Sequence, residues 1–248
     1  MKSSSKNTMI VGRHPIVDAI NNGNNFDRII LQKGIDREFD QMIKTLSRDS
    51  KIPLQIVPRE KLNRIYSGQH QGVIGFLSLV NYFSLDDVLP MIYEKSEVPL
   101  LLLLDDITDV RNFGAIARSA EICGVHAIVI PEKGAAQINP EALKTSAGAL
   151  TKILICRETS LIKAIDTLQL NGIAVLASNL GTKKLIYEMD FTVPTALVIG
   201  SEGNGVSSTI LKKVDQQFII PQKGTTDSFN VSVASGIMLY EVMRQRGA

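Results

Sequence analysis

Apolar and polar positions along the 248-residue chain change rhythm near residue 80. Before that point short segments of different period alternate. Ile16, Val17 and Ile20 sit at helical spacing and predict a helix over 13–21, and "FDRIILQKG" predicts a short strand closed by Gly34. A second helical period over 36–48 runs through Phe39, Ile43 and Leu46. "IPLQIVP" and "GVIGFLSLV" read as further strands, with "REKLNRIYSG" as a helical turn between them. Residues 1–80 are therefore expected to form a small α/β unit. From Asn81 to Val98 the pattern loosens, and Pro90 and Pro99 mark that stretch as a linker.

Over 99–248 apolar runs recur without alternation: "LLLLDDI", "VHAIVIP", "KILICR", "GIAVLASN", "TALVIG" and "QQFIIP". Helical patterns fall at 113–123, 140–149, 160–170, 207–214 and 228–246. Near-continuous apolar strands joined by helices predict the α/β class, with a parallel sheet covered on both faces. Ligands of such sheets bind in the loops beyond the carboxyl ends of the strands.

A hydrophobic share of 44% is enough for one large domain or two modest ones. The longest apolar stretch, Val98 to Leu104, is ended by Asp105 and Asp106 and falls far short of a membrane span, so no membrane partner is expected. "MKSSSKNTM" is basic and Ser-rich without an apolar core, and reads as a frayed tail rather than a signal peptide. Cys123 and Cys156 stand alone, with no C-x-x-C. They read as buried apolar residues of a protein in the reducing cytoplasm, with no disulfide and no zinc. The net charge of +2 hides an asymmetry: residues 1–80 carry 12 Lys/Arg against 7 Asp/Glu, the remainder 15 against 18. A basic front portion directs an anionic partner to the N-terminal part, although an ordinary solvated surface carries a similar balance.

Three loops lie where a parallel sheet binds its ligands: "DDITDVRNFGAIARSAEICG", "ALVIGSEGNGVS" and "IPQKGTTDSFNVSVASGIMLYEV". Gly200, Gly203 and Gly205 are mis-spaced for a dinucleotide fingerprint, and Val206-Ser207 does not complete a P-loop. A plain strand-to-helix turn capped by Ser207 or Ser208 would account for the glycines. Glu202 weighs against that reading: a carboxylate among glycines suits accepting a bond from a ribose or orienting an arginine. In the first loop Asn112 can cap a helix, Gly114 admits a close backbone, and Arg118 lies about a turn and a half further on. The plain reading is a cap and a surface salt bridge. The other is a bound anion, because an arginine near a helix start opposes the macrodipole. In the third loop Ser228 is placed to cap the last helix, with Asn230 just inside it. Ser232, Ala234, Ser235 and Gly236 then leave a nearly flat face for a close subunit contact.

In this order the three loops resemble the SpoU/TrmH branch of the SPOUT superfamily, S-adenosylmethionine-dependent RNA 2′-O-ribose methyltransferases. N-x-G-x-x-x-R matches Asn112, Gly114 and Arg118, and G-x-E-G-x-G matches Gly200 to Gly205. I-P-x-x-G-x-x-x-S-x-N-V-S-V-A matches Ile220 to Ala234. "VGRHPIVDAI" and "HQGVIGF" resemble landmarks of the family's N-terminal RNA substrate-binding domain, a small ribosomal-protein-like fold. With that domain in front, the chain looks most like enzymes that methylate a guanosine of 23S ribosomal RNA. Phe229 and Gln222 depart from the family's usual Leu and Met, which touches the shape of the cofactor pocket.

The resemblance implies a trefoil knot in the C-terminal domain, against the rule that chains are unknotted. It also implies bound S-adenosylmethionine and a homodimer through that domain. It assigns Gly200, Gly205, Ile220, Pro221 and Phe229 to the cofactor, with Ser178 and Asn179 beside them. Asn112, Arg118, Glu202, Ser228 and Asn230 fall in the catalytic site.

Methyl transfer from a sulfonium to a ribose hydroxyl is an in-line displacement that needs alignment and removal of a proton, but no metal. The three histidines are scattered, and a lone His70 is more often structural than an RNA contact. The resemblance points to Arg118 as base, yet a guanidinium stays protonated. Arg118 suits clamping the adjacent phosphate, which relays the proton, while Glu202 and Asn230 orient Arg118 and the ribose. The alternatives are the same chemistry on transfer RNA or on a resistance-conferring ribosomal nucleotide, a catalytically silent RNA-binding or ribosome-assembly module, and a nucleotide-binding oxidoreductase.

Overall fold

The computed structural model describes residues 9–247; the expected tail at 1–9 lies outside the described residues except for Met9, which belongs to a strand. Two compact units meet in sequence at Asn81 and Tyr82.

The first unit contains β1 (Met9–Val11), α1 (Arg13–Asn21), β2 (Phe26–Gln32), α2 (Arg37–Asp49), β3 (Leu54–Val57), α3 (Arg59–Ile65) and β4 (Val73–Leu77). Its sheet runs β1-β4-β2-β3, with β2 parallel to β3 and antiparallel to β4. Strand alternation sorts β2 onto two cores. Ile29 and Leu31 join Ile16, Ile20, Phe39 and Ile43 of α1 and α2, whereas Ile30 packs with Leu62 of α3. An irregularity between Phe26 and Arg28 shifts the register, and it puts Phe26 in the same core as Ile29. β1 was not expected: three residues directly after a polar tail give no period to read.

The second unit contains β5 (Tyr82–Phe83), α4 (Leu85–Glu94), β6 (Leu100–Leu104), α5 (Val110–Ile122), β7 (Ala127–Pro131), α6 (Pro140–Thr145), β8 (Leu154–Glu158), α7 (Leu161–Leu170), β9 (Ala174–Ser178), β10 (Thr195–Ile199), α8 (Ser208–Leu211), β11 (Gln216–Phe218) and α9 (Val231–Arg246). The seven strands run β11-β9-β10-β6-β7-β8-β5, and every pair is parallel. Central β6 and β10 are buried at every residue, as two-sided cover requires. Leu101 and Leu103 meet α4, α7 and α8 in one core. α5 packs against both α6 and α9, which leaves this second group for the opposite face.

Residues 81–98 are not a linker. They supply edge strand β5, paired with β8, and α4, whose Leu85, Val88, Leu89 and Ile92 are buried at i, i+3, i+4 and i+7 spacing. Ser84 and Asp87 close a capping box at its start. Pro90 fits because it lies on the exposed side, where the carbonyl it cannot serve meets water. Cys156 is buried as expected, but Cys123, at the end of α5, is only partly so.

Candidate active site

The loops after β9, β10 and β11 gather at the carboxyl ends of the strands around a cavity of about 320 Å³. Its wall includes Gly200, Gly205, Ile220, Phe229, Ser178 and Asn179, together with Glu202 and Ser228. Pro221, expected against the cofactor, is exposed and lies outside the wall. Sequence reading missed Val231, Ala234 and Met238, which α9 turns into the same space. Their 3–4 residue spacing along one helix was the available signal.

The glycine loop is shaped by its own backbone. Ser201 and Gly205 exchange two hydrogen bonds, Ser201 N–H to the Gly205 carbonyl at 3.1 Å and the reverse at 2.9 Å. A Cβ on Gly200 would sit 2.0 Å from the Gly205 carbonyl carbon. Gly205 has φ +64°, a region that side-chain-bearing residues rarely adopt. Asp105, after β6, ties the loop's end to the sheet by accepting from Ser207 N–H at 2.7 Å. Ser207 occupies the N-cap position of α8, but its side chain makes no capping bond. Gly114 is needed for packing: a Cβ there would lie 2.8 Å from Thr145 Cβ and 2.9 Å from the Ala142 carbonyl of α6.

Both expected caps are corrected. Asp109, not Asn112, caps α5, accepting from Arg111 N–H at 3.0 Å and Asn112 N–H at 2.7 Å. Asn230, not Ser228, caps α9, and its Oδ1 accepts from Ser232 N–H at 3.0 Å and Ser232 Oγ at 2.6 Å. Each pair offered two good capping residues, which local propensity cannot rank.

These caps decide the polar centre. With Oδ1 committed to the helix, the Asn230 Nδ2 group faces the site, where it donates to Asn112 Oδ1 and to Glu202 Oε1, both at 3.2 Å. Asn112, freed from capping, donates its Nδ2 to Glu202 Oε2 at 3.2 Å. Donors and acceptors match in one amide orientation only. Glu202 belongs to both this ring and the cavity wall, so it links the two. Asn179, although on the wall, spends its side chain on Gln217 and Gly181 N–H.

Arg118 is exposed and makes no hydrogen bond or ion pair with any described residue, so the expected alternative of a surface salt bridge within this chain does not hold. It lies six residues beyond Asn112, about 9 Å along the helix and about 240° around it, and so on another side of α5. His70 is buried in the first unit, accepting from Gly72 N–H at Nδ1 and bonding Asn63 through Nε2. Among the described residues no group of three or more His, Cys, Asp or Glu is arranged to hold a metal. None of their helices is long and apolar enough to cross a membrane.

An all-parallel sheet with a cavity at its strand ends, and a tethered carboxylate in that cavity's wall, defines an α/β enzyme domain that binds a small ligand. Residues 99–240 match the SpoU rRNA Methylase family, and residues 9–83 match the RNA 2′-O ribose methyltransferase substrate-binding family. YacO of Bacillus subtilis (strain 168), assigned to the TrmH family of tRNA/rRNA methyltransferases, is 32% identical over 98% of each chain. The SpoU methyltransferase AviRb of Streptomyces viridochromogenes, solved with AdoMet, shares the fold at a TM-score of 0.61 and 23% identity, covering 96% of this chain and 90% of its own. A TrmH/SpoU tRNA modifying enzyme of A. aeolicus is 31% identical with a TM-score of 0.56, covering 65% of this chain and 84% of its own. The chain belongs to the SpoU rRNA methylase family and is an RNA methyltransferase.

Proposed function

We propose that the protein transfers a methyl group from S-adenosylmethionine to the ribose 2′-OH of a guanosine in structured RNA, ribosomal in preference to transfer RNA, as a cytoplasmic homodimer. The observation that carries this reading is Glu202, which lines the cavity while accepting from Asn112 and Asn230.

The cavity suits the cofactor. Its volume lies at the lower end of the roughly 300–1,000 Å³ typical of small-molecule sites. Ile199, Ile220, Phe229 and Met238 offer apolar walls, and Ser178, Gln222 and Ser228 offer polar edges. S-adenosylmethionine, when bound, supplies an electrophilic methyl on a sulfonium. The remaining work falls to this chain. Apolar walls keep water from the methyl, and a fixed ring of amides and a carboxylate orients the hydroxyl. A carboxylate has about four acceptor positions, so Glu202 can take a bond from the ribose beyond the two it holds. Arg118, without a partner among the described residues, clamps the adjacent phosphate in this reading. Gly236 has open space where a side chain would stand, and Val233 and Tyr240 of α9 are exposed, which supports a subunit contact there. The trefoil threading of the C-terminal segment belongs to the same reading.

Ribose-methylation mapping of total RNA, with and without the protein, tests this. One new 2′-O-methylguanosine in 23S ribosomal RNA is the expected outcome. Methylation of a base, or no new mark in any RNA, would overturn it.

A further inference from the structure

The first unit carries a second concavity, a broad cleft of about 950 Å³ at the surface where the start of α1, the start of α3 and the loop 67–72 meet. Its polar groups divide into two sets. Arg13 and His70 build the cleft. Arg13 donates from its backbone N–H to Gln71 Oε1 at 3.0 Å and from Nε to the Gln71 carbonyl at 3.2 Å. Its guanidinium also pairs with Asp36 and lies over the Phe39 ring. His70 holds the loop to α3 through Asn63 and folds it back through Gly72 N–H. Asp36 is the one carboxylate in the wall, and Arg13 neutralises it.

The second set is uncommitted. Arg59, His14 and Gln69 are exposed, face the same cleft and make no hydrogen bond or ion pair with any described residue. Asn63 gives Oδ1 to His70 and keeps its Nδ2 group free for another acceptor. The cleft thus presents a cation without a counter-charge beside amide groups that can read hydrogen-bonding edges, on a frame fixed by other residues. Phosphate and base edge, side by side, are what that combination recognises.

We propose that this cleft holds an unpaired nucleotide of the RNA substrate, its phosphate against Arg59 and His14 and its base edge against Gln69 and the Asn63 amide. The proposal rests on the RNA-modifying reading of the second unit and names the place where the first unit grips the same molecule. Single-stranded, splayed nucleotides are the usual target of sequence-selective RNA binding, and an open cleft lets the strand continue on both sides.

The test is filter binding of the full-length protein to two probes across a salt series: pooled transcripts covering 23S ribosomal RNA, and a transfer-RNA pool. Arg59→Ala is expected to weaken binding at least tenfold and to flatten the slope of log K against log salt by about 0.7, the loss of one single-strand phosphate contact. Arg59→Lys should recover most of the slope, and the double variant His14→Ala/Gln69→Ala should weaken binding further. S-adenosylmethionine affinity by calorimetry should stay unchanged in all three. If the wild type binds RNA and every variant matches it within twofold at the same slope, the cleft is not the site and the RNA reading stands. If the wild type binds neither probe, the RNA reading falls and takes the cleft with it.

Discussion

Asn230 reaches across 118 residues of sequence to donate its Nδ2 to Asn112 Oδ1 at 3.2 Å, while its Oδ1 holds the first turn of the last helix. One amide therefore serves stability with its oxygen and the site with its nitrogen. The two roles can be separated. Asn230→Ser keeps a good N-cap and loses both donations into the site. Methyl transfer is expected to fall by about 100-fold in kcat, the usual cost of one preorganised donor, with a thermal midpoint near that of the wild type. Asn230→Ala should lose the activity and also about 1 kcal/mol of stability. A Ser variant with near-normal kcat would remove Asn230 from the catalytic ring.

That division of labour also marks what could be read from the chain alone. The three polar residues of the ring are legible through the resemblance, because Asn112, Glu202 and Asn230 each stand in one of the three loop motifs that carry it. Their mutual geometry was not legible, because it turns on which residue caps each helix, and Asp109 competes with Asn112 as Ser228 does with Asn230. The parallel sheet could be read from near-continuous apolar strands. Edge strand β5 could not, since two residues carry no period. α4 did have the period, but Pro90 hid it, and its tolerance depends on facing water. The N-terminal cleft was out of reach, because it rests on Arg13 meeting Gln71, a pairing that exists only after folding.

Gly200 is required by its neighbours whether or not a ligand is present. An added Cβ would overlap the Gly205 carbonyl carbon and Val206 N, both backbone atoms with little freedom to yield. Gly200→Ala should therefore open the Ser201–Gly205 pairing and deform the cavity wall. Calorimetry is expected to show S-adenosylmethionine affinity reduced at least tenfold, and denaturant unfolding a loss of about 1–3 kcal/mol. Gly203 has no atom within 4 Å of its would-be Cβ, so Gly203→Ala serves as the control and should bind as the wild type does.

Burial pushes the Cys156 thiol up to about 12, with Glu158 and Asp87 adding in the same direction. Below about pH 9 the thiol is neutral in both folded and unfolded chains, and its contribution is fully present. Between about 9 and 12 only the unfolded chain releases the proton, so stability falls as pH rises. The stability difference between wild type and Cys156→Ala, from urea unfolding at pH 8 through 10.5, should shrink steadily across that window. Native protein at pH 8 should also leave Cys156 unlabelled by a thiol reagent while Cys123 reacts slowly. Rapid labelling of Cys156 without unfolding would contradict the buried placement.

Arg246, the last residue of α9, donates to four backbone carbonyls: Phe191 from Nε at 2.8 Å, Val98 from Nη1 at 2.9 Å, and Pro99 and Val193 from Nη2 at 3.0 Å. Val98 and Pro99 lead into β6, and Phe191 and Val193 lead into β10, so one guanidinium fastens the end of the helix to the entries of the two most buried strands. Burial holds its pKa below the usual arginine value, an unfavourable contribution against which the four carbonyl bonds act. Arg246→Ala strands those carbonyls at the rim of the core, and a loss of about 3 kcal/mol is expected in denaturant unfolding. Arg246→Lys should recover less than half of it, because a single ammonium cannot span the fork. The ring of Asn112, Glu202 and Asn230 involves the other end of α9, so kcat at 25 °C should remain near the wild-type value while the thermal midpoint drops. A loss below 1 kcal/mol would mean that these carbonyls are satisfied by water and that the clasp is decorative.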